Sequence, residues 1–234
     1  SAGGLMRVCL FDIDGTLINS GQAGQAAMES ALVSLFGVTR PTEGIKTAGR
    51  TDRAIIEDLL AFHDLGVDPV TFGRVCEAYL RGLPAELGRL EGVALPGVCA
   101  LLDVLSARND VVLGLLTGNL VEGARRKLGH FELDTFFERD GRLFGGFGDD
   151  QRDRDDVARG GREVVRHELG WWDALEVWVI GDTPLDVGCA RAIDVRVLAV
   201  ATGLFPAEQL ADSGPDVLLE DLSATDQVVS ILLE

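Results

Sequence analysis

Met6-Arg7-Val8-Cys9-Leu10-Phe11-Asp12-Ile13-Asp14-Gly15-Thr16-Leu17 is the stretch on which the fold reading of this chain turns. A short, mostly apolar run passes straight into a polar cluster, which suits a buried parallel strand more than a strand with one wet face. The strand should end near Asp12. Asp12 and Asp14 are two apart, so wherever the backbone is still extended their side chains point to the same side. Asp14-Gly15 between apolar runs is also a hairpin signature, and by itself it could be only that.

Two later segments repeat the arrangement. The apolar run Val111–Leu116 closes on Thr117-Gly118-Asn119, and Val177–Ile180 closes on Gly181-Asp182-Thr183-Pro184-Leu185-Asp186. In isolation the first is an ordinary turn and Asp182 a helix N-cap. In open parallel sheets, however, ligands bind outside the carboxyl ends of the strands, so the three segments should converge on one crevice. Val195–Val200 is a further buried strand. Val98–Ala107, Val121–Leu128, Leu185–Ala192 and Asp155–Leu169 are helix-periodic, the last weakened by Gly160-Gly161 at about 1 kcal/mol each. After the first strand, Ala26–Phe36, Ala54–Phe62 and Phe72–Leu87 are helix-periodic with no convincing strand among them. The sequence therefore predicts a doubly wound parallel α/β sheet, with a core of residues 6–19 and 91–234 and an all-helical insert at 20–90. Residues 1–5 read as an expression remnant or disordered leader and are left out of the fold argument.

The 234 residues carry a formal charge of −17, with 47% hydrophobic and 25% charged residues. That balance is globular, and the acidic field repels nucleic-acid phosphates and anionic membrane surfaces, so neither is an expected partner. Phosphate chemistry in such a field needs local positive charge from a metal ion or a few placed arginines. Cys9, Cys76, Cys99 and Cys189 are widely spaced and read as reduced core thiols. No stretch is long and apolar enough for a membrane span and no signal core is evident, so the expected address is cytoplasmic. Trp171, Trp172 and Trp178 read as packing residues, and His63, His130 and His167 show no ligand spacing.

Paired carboxylates whose surroundings push their pKa values apart can divide labour, the ionised one attacking as a nucleophile and the protonated one donating to a leaving group. Asp182, arriving from another strand, adds a third carboxylate. That density of negative charge makes sense around a hard cation, and Mg²⁺ typically takes one or two carboxylates with waters and substrate phosphate.

The segments Leu10–Leu17, Thr117–Asn119 and Gly181–Asp186 resemble the first, second and fourth signature motifs of the haloacid dehalogenase superfamily. The resemblance spans almost the whole chain and implies a Rossmann-like core whose helical insert is a cap, similar in length and position to phosphoglycolate-phosphatase-like and phosphoglucomutase-like members. It implies that Asp12 attacks phosphorus to give an aspartyl phosphate, and that Asp14 protonates the leaving alkoxide and then activates water. Thr117 would bind the phosphoryl oxygens, with Gly118 and Asn119 as substrate-binding neighbours. Asp12, the Asp14 backbone carbonyl and Asp182 would hold Mg²⁺, with Asp186 in support.

The family's third motif is a lysine, and neither of this chain's two lysines, Lys46 and Lys127, lies in the right interval. Arg154 in Asp153-Arg154-Asp155 is the closest match, with Arg152 and Arg159 as neighbours that could take the role or, like Arg154, be solvated charges; arginine can do this work as a fixed fork. In the insert, Arg50 within Thr47-Ala48-Gly49-Arg50-Thr51-Asp52 is the candidate for the substrate's non-reacting end, or else a loop charge before a helix capped by Thr51 or Asp52. The expected function is a Mg²⁺-dependent phosphatase acting on a small phosphorylated metabolite of the phosphoglycolate kind. The alternatives are a phosphohexose mutase with the same catalytic residues and a catalytically silent binding protein of the same fold. Dehalogenation would leave Asp14 without a role, and a phosphonate-cleaving reaction would need Lys46 as an imine-forming amine. The sequence leaves oligomeric state open.

Overall fold

The structure is a computed structural model that describes residues 5–234, so the leader reading for residues 1–5 falls, Leu5 apart, outside the described residues. Strand β1 (Met6–Phe11) and the short β2 (Ile18–Asn19) lead into helices α1 (Ala23–Phe36), α2 (Asp52–Phe62) and α3 (Pro69–Leu90), and β3 (Val93–Ala94) leads out. There follow α4 (Val98–Ser106), β4 (Val111–Leu116), α5 (Val121–His130) and the short strands β5 (Glu138–Arg139), β6 (Arg142–Leu143) and β7 (Gly145–Gly146). The chain ends with α6 (Arg154–Leu169), β8 (Leu175–Gly181), α7 (Pro184–Ala192), β9 (Arg196–Val200), α8 (Ala207–Asp212), β10 (Val217–Leu219) and α9 (Thr225–Leu233).

Six strands form one sheet in the order β10-β9-β8-β1-β4-β7, every pairing parallel. The two-residue period of a strand divides the core into two layers. Val8 and Leu10, with Val177 and Val179, pack under α6 and α7, while Cys9 and Phe11, with Leu113, Leu115 and Ile180, pack under α4, α5 and α9. The three helices of the insert bury a separate cluster that includes Met28, Leu32, Ile56, Leu60, Tyr79 and Leu83. The doubly wound α/β core with a helical cap is thus the observed architecture. The chain passes into and out of the cap through the antiparallel pair β2 and β3, in register Ile18 to Ala94 and Asn19 to Val93.

Helix starts depart from the periodic estimate where capping decides. Helix α3 begins at Pro69, three residues before the apolar pattern, because the Asp68 carboxylate accepts from the Val70 and Thr71 N–H groups and proline suits the first helical position. Pro84 lies inside α3, and a proline there deprives the carbonyl four residues earlier of its donor. That carbonyl, on Leu80, accepts instead from Arg126 Nη1 of α5 at 2.6 Å, so a core helix completes a cap helix.

Two readings of apolar residues need correction. Trp178 is buried and Trp172 packs on the core, but Trp171 is 86% exposed; the chain reverses after Gly170, and only one of two adjacent tryptophans can face the sheet there. All four cysteines are free as expected, yet only Cys9 and Cys189 are core thiols; Cys76 is half-buried and Cys99 sits on the outer side of α4. The edge strands β7 and β10 carry too few side chains to show a period. No helix among the described residues is long and apolar enough to cross a membrane.

Helix α6 forms in spite of Gly160-Gly161, and the two glycines differ. A Cβ on Gly160 would meet nothing within 4 Å, whereas one on Gly161 would lie 3.2 Å from the Gly146 backbone of β7. We expect Gly160→Ala to stabilise the protein by about 0.5–1 kcal/mol in urea unfolding, the usual gain of alanine over glycine in a helix. Gly161→Ala should forfeit that gain by pushing α6 off the sheet edge.

Candidate active site

The three central strands deliver their polar ends to one place. Asp12 follows β1 and stays on the ladder, its N–H donating to Ile180 O at 2.9 Å, and Thr117 follows β4 with its N–H on Gly146 O at 3.1 Å. Past Asp14 the chain turns at Gly15, which has φ +83° and whose N–H donates to Ile18 O, so the Asp-Gly turn and the site coexist in one segment. On the third strand it is Thr183, not Asp182, that caps α7, in a reciprocal box with Asp186. This leaves Asp182 free to face the site.

Asp12, Asp14, Thr117, Gly118, Asn119, Arg154, Asp182 and Arg50 all line one cavity of about 540 Å³ between the strand ends and the cap. Carboxylate oxygens of Asp12, Asp182 and Asp186 lie within 4.8 Å of one another. Burial, and then the charge of Asp186, push Asp12 up to about 7 against the pull of Arg154. Burial and the charges of Asp186 and Asp12 hold Asp182 well above the usual carboxylate range. Asp182 is also closely cradled, because a Cβ on Gly15 would sit 2.3 Å, and one on Gly203 1.7 Å, from its Oδ2. Buried carboxylates disfavoured as anions, oxygen donors throughout and a cradle that admits no side chain fit a small hard cation.

Arg154, the first residue of α6, reaches this cluster. Its Nη2 donates to Asp186 Oδ1 at 2.6 Å and to Leu116 O at 3.3 Å and lies 3.9 Å from Asp12 Oδ1; its Nη1 donates to Gly49 O at 2.8 Å. Burial lowers its pKa, but Asp186 and its other neighbours outweigh that and raise it, so it is a fixed cation. The neighbouring arginines are engaged elsewhere: Arg152 pairs with Glu57 and Asp58, and Arg159 with Asp156 on the surface. Asp186 also accepts from the Thr183 N–H and hydroxyl, so it is fully occupied in holding Arg154 and the α7 start.

On the other flank, Lys127 Nζ donates to both Asp14 oxygens at 2.9 and 2.8 Å and to Asn119 Oδ1 at 2.7 Å. Asn119 Nδ2 donates to Asp14 Oδ2 at 2.9 Å and to Thr117 Oγ1 at 2.8 Å. Burial pushes the Asp14 carboxyl up, but the Lys127 ammonium and the Asn119 amide outweigh it and hold the group below its ordinary range. Asp52, the first residue of α2, accepts from the Leu120 N–H at 2.9 Å and the Tyr79 hydroxyl at 3.3 Å, and its N–H donates to Gly118 O at 2.7 Å. Thr51 is the residue that caps α2, its hydroxyl accepting from the Ala54 N–H. Arg50 is on the cap side of the cavity wall, but its guanidinium is held on Asp58 at 2.6 Å and on Lys46 O at 2.9 Å, neither of which lines the cavity.

Lys127 is the residue that motif spacing passed over. It carried a signal nonetheless, because it shares the buried stripe of α5 with Gly123, Ala124 and Leu128, where a charge needs a partner. Thr16, whose hydroxyl donates to Asp182 Oδ1 at 2.9 Å, lay inside the first quoted segment but was given no role. Thr202, donating to Gly15 O at 2.6 Å, and Gly203 come from the loop after β9 and had no signal.

A family model described as haloacid dehalogenase-like hydrolase matches residues 9–191, and a HAD-hydrolase-like model matches residues 163–225. The chain belongs to the haloacid dehalogenase-like hydrolases. Among its relatives in this family, phosphoglycolate phosphatase 1 of Pseudomonas aeruginosa is 28% identical over 98% of this chain and 83% of its own length. Phosphoglycolate phosphatase of Synechococcus elongatus is 27% identical over 97% of this chain and 99% of its own. Two solved structures share the fold. CbbY from Rhodobacter sphaeroides, in complex with phosphate, superposes with a TM-score of 0.70 at 16% identity, covering 93% of this chain and 95% of that one. A hydrolase from Pseudomonas syringae gives a TM-score of 0.68 at 20% identity, covering 97% and 98%.

For this haloacid dehalogenase-like chain, removing Arg154 leaves Asp12, Asp182 and Asp186 buried without their cation. Loss of one partner of a buried pair typically costs about 3–5 kcal/mol. We expect Arg154→Ala to lose that much in urea unfolding without added metal, and Arg152→Ala and Arg159→Ala to stay within about 1 kcal/mol of wild type, as exposed pairs do.

Proposed function

We propose that this chain is a Mg²⁺-dependent phosphatase that hydrolyses a small phosphomonoester through an aspartyl phosphate on Asp12. The observation that carries the reading is the contrast between two carboxylates of one cavity. Asp12 is buried beside Arg154, Asp182 and Asp186, whereas the Asp14 side chain is 42% exposed and turned toward Lys127 and Asn119. At rest their protonation is the reverse of the sequence expectation: Asp12 holds its proton up to about 7 and is placed to attack once a cation displaces it, whereas Asp14 is ionised and open to the leaving group.

In the first half-reaction Asp14, ionised at rest, takes the proton that the phosphomonoester monoanion brings in; an Asp12 carboxylate oxygen attacks phosphorus, the bond from phosphorus to the ester oxygen breaks, and Asp14 passes that proton to the leaving oxygen. The incoming phosphoryl charge beside Asp14 is what raises its proton affinity from the low resting value. In the second, a water oxygen attacks phosphorus as Asp14 takes its proton, the bond to Asp12 breaks, and inorganic phosphate leaves. Thr117 and the Gly118 and Asn119 backbone line the phosphoryl side, and Arg154 supplies fixed positive charge there. Asp12, the Asp14 backbone carbonyl and Asp182 would hold Mg²⁺, with Asp186 behind them through Arg154. When bound, the ion supplies charge neutralisation at the phosphoryl oxygens.

The relatives' names favour a short acidic phosphoester such as phosphoglycolate as the substrate class, with Arg50 the cap residue that would exchange Asp58 for the substrate's carboxylate. Arg50→Ala should then lower kcat/KM on phosphoglycolate by about 10–150-fold, the worth of one charge-assisted contact, and leave an aryl phosphate nearly unchanged. Equal losses on both would assign Arg50 to the cap's structure.

Phosphate release with Mg²⁺ should vanish in excess EDTA and return on adding the ion, and activity that survives chelation would sink the proposal. Asp12→Asn should abolish turnover, and Asp14→Asn should cost about 10²–10⁴-fold, with mass spectrometry of a trapped enzyme finding phosphate on Asp12. Because Asp12 and Asp182 hold protons more tightly in the absence of a cation, Mg²⁺ must displace them. Mg²⁺ affinity should therefore rise with pH through about 7, which isothermal calorimetry can follow.

A further inference from the structure

We propose that Lys127 is a positioning residue for Asp14, gripping the carboxylate that serves the leaving group, and that Gly24 of the cap makes room for it. The inference rests on the acid/base reading of Asp14 given above.

Three observations support it. The Asp14 side chain is 42% exposed and that of Lys127 is 5% exposed, so the partner is anchored where the carboxylate by itself would be free to turn. Lys127 Nζ contacts both carboxylate oxygens, which fixes the plane of the group as well as its direction, and its third contact, with Asn119 Oδ1, closes a ring in which Asn119 Nδ2 returns to Asp14. Asn119 in turn donates to Thr117 Oγ1, so the carboxylate is held in register with the residue assigned to the phosphoryl oxygens.

The path of the lysine is equally specific. Its stem leaves the buried face of α5 and ends against the first turn of α1. A Cβ on Gly24 would lie 3.1 Å from Nζ and 3.4 Å from Cε, closer than most such contacts, so the ammonium would have to give by a few tenths of an ångström against its bonds to Asp14 and Asn119. The cap helix therefore forms one wall of the slot that aims a core lysine at a core carboxylate. Placement of the group that meets the leaving oxygen matters steeply, since a shift of about 1 Å can cost on the order of 100-fold.

The test is the first half-reaction in single turnover, with Mg²⁺ and enzyme in excess, on an alkyl phosphate and on p-nitrophenyl phosphate. The aryl leaving group departs as a stable anion and needs little help from an acid; the alkoxide needs it fully. Lys127→Met should lose about 10–100-fold on the alkyl ester and less than about 3-fold on the aryl ester. Gly24→Ala, which keeps the charge and disturbs only its place, should show the same split to a smaller degree. Asp14→Asn provides the reference pattern. Equal losses on both esters in Lys127→Met, or a Gly24→Ala variant with no split, would overturn the positioning role while leaving Asp14 as the acid. An Asp14→Asn variant with no split would instead bring down the acid role, and this proposal with it. Thermal unfolding of each variant separates either outcome from loss of fold, and if Lys127→Met does not fold, Gly24→Ala alone decides.

Discussion

The constraint on which this structure depends is the burial of negative charge at the ends of two adjacent strands, β1 and β8. Asp12, Asp182 and Asp186 come within a few ångströms of one another in a protein that is already strongly acidic. Desolvating an ionised carboxylate is expensive unless it is paired. Arg154 alone, anchored on Asp186 and on two backbone carbonyls, offsets only part of that charge within the described residues. The surplus on Asp12 and Asp182 is what the proposed function assigns to a bound cation, through which the phosphoryl group would be held. In a phosphatase the same surplus keeps the nucleophile poor until the ion arrives.

A second consequence is that cap and core share their polar groups. The N-terminus of α2 lies on the loop after β4, with Asp52 N–H on Gly118 O and the Asp52 carboxylate on the Leu120 N–H. Backbone approaches closely enough here that a Cβ on Gly118 would fall 2.2 Å from Arg50 O, and one on Gly148 2.1 Å from Gly118 O. Glycine is needed at both positions because no side chain fits, not because the backbone turns. Thr51 donates to Arg152 O and Arg53 to Asp149 O, and Arg126 of the core reaches into α3 at the carbonyl released by Pro84. The cavity is therefore bounded by contacts that any opening of the cap would have to break.

Much of this was legible in the chain. A buried parallel strand declares itself by an unbroken apolar run, so β1 and β4 emerge with the ends read from sequence, and the polar residues that follow are forced by geometry to the same edge of the sheet. The haloacid dehalogenase-like segments added the roles those residues would play, and the order of the strands came from the structure. Helix ends were less legible at α3, where Asp68 and Pro69 start the helix before its apolar stripe. The edge strands β7 and β10 were illegible, since two glycines or three residues cannot display a period.

By itself the sequence determined the four inner strands of the sheet, the insertion of the helical cap after β1, and the meeting of Asp12, Asp14, Thr117 and Asp182, because apolar run length and strand-end position are local properties. Only the tertiary structure decided which cation serves which carboxylate. Arg154 and Lys127 lie 142 and 113 residues from the acids they approach, Asp12 and Asp14, and sit on helices whose rotation about the sheet is set by packing against distant neighbours. A buried charge can be recognised in a sequence by the apolar stripe that it interrupts, but its partner is chosen by the fold that brings the two stripes together.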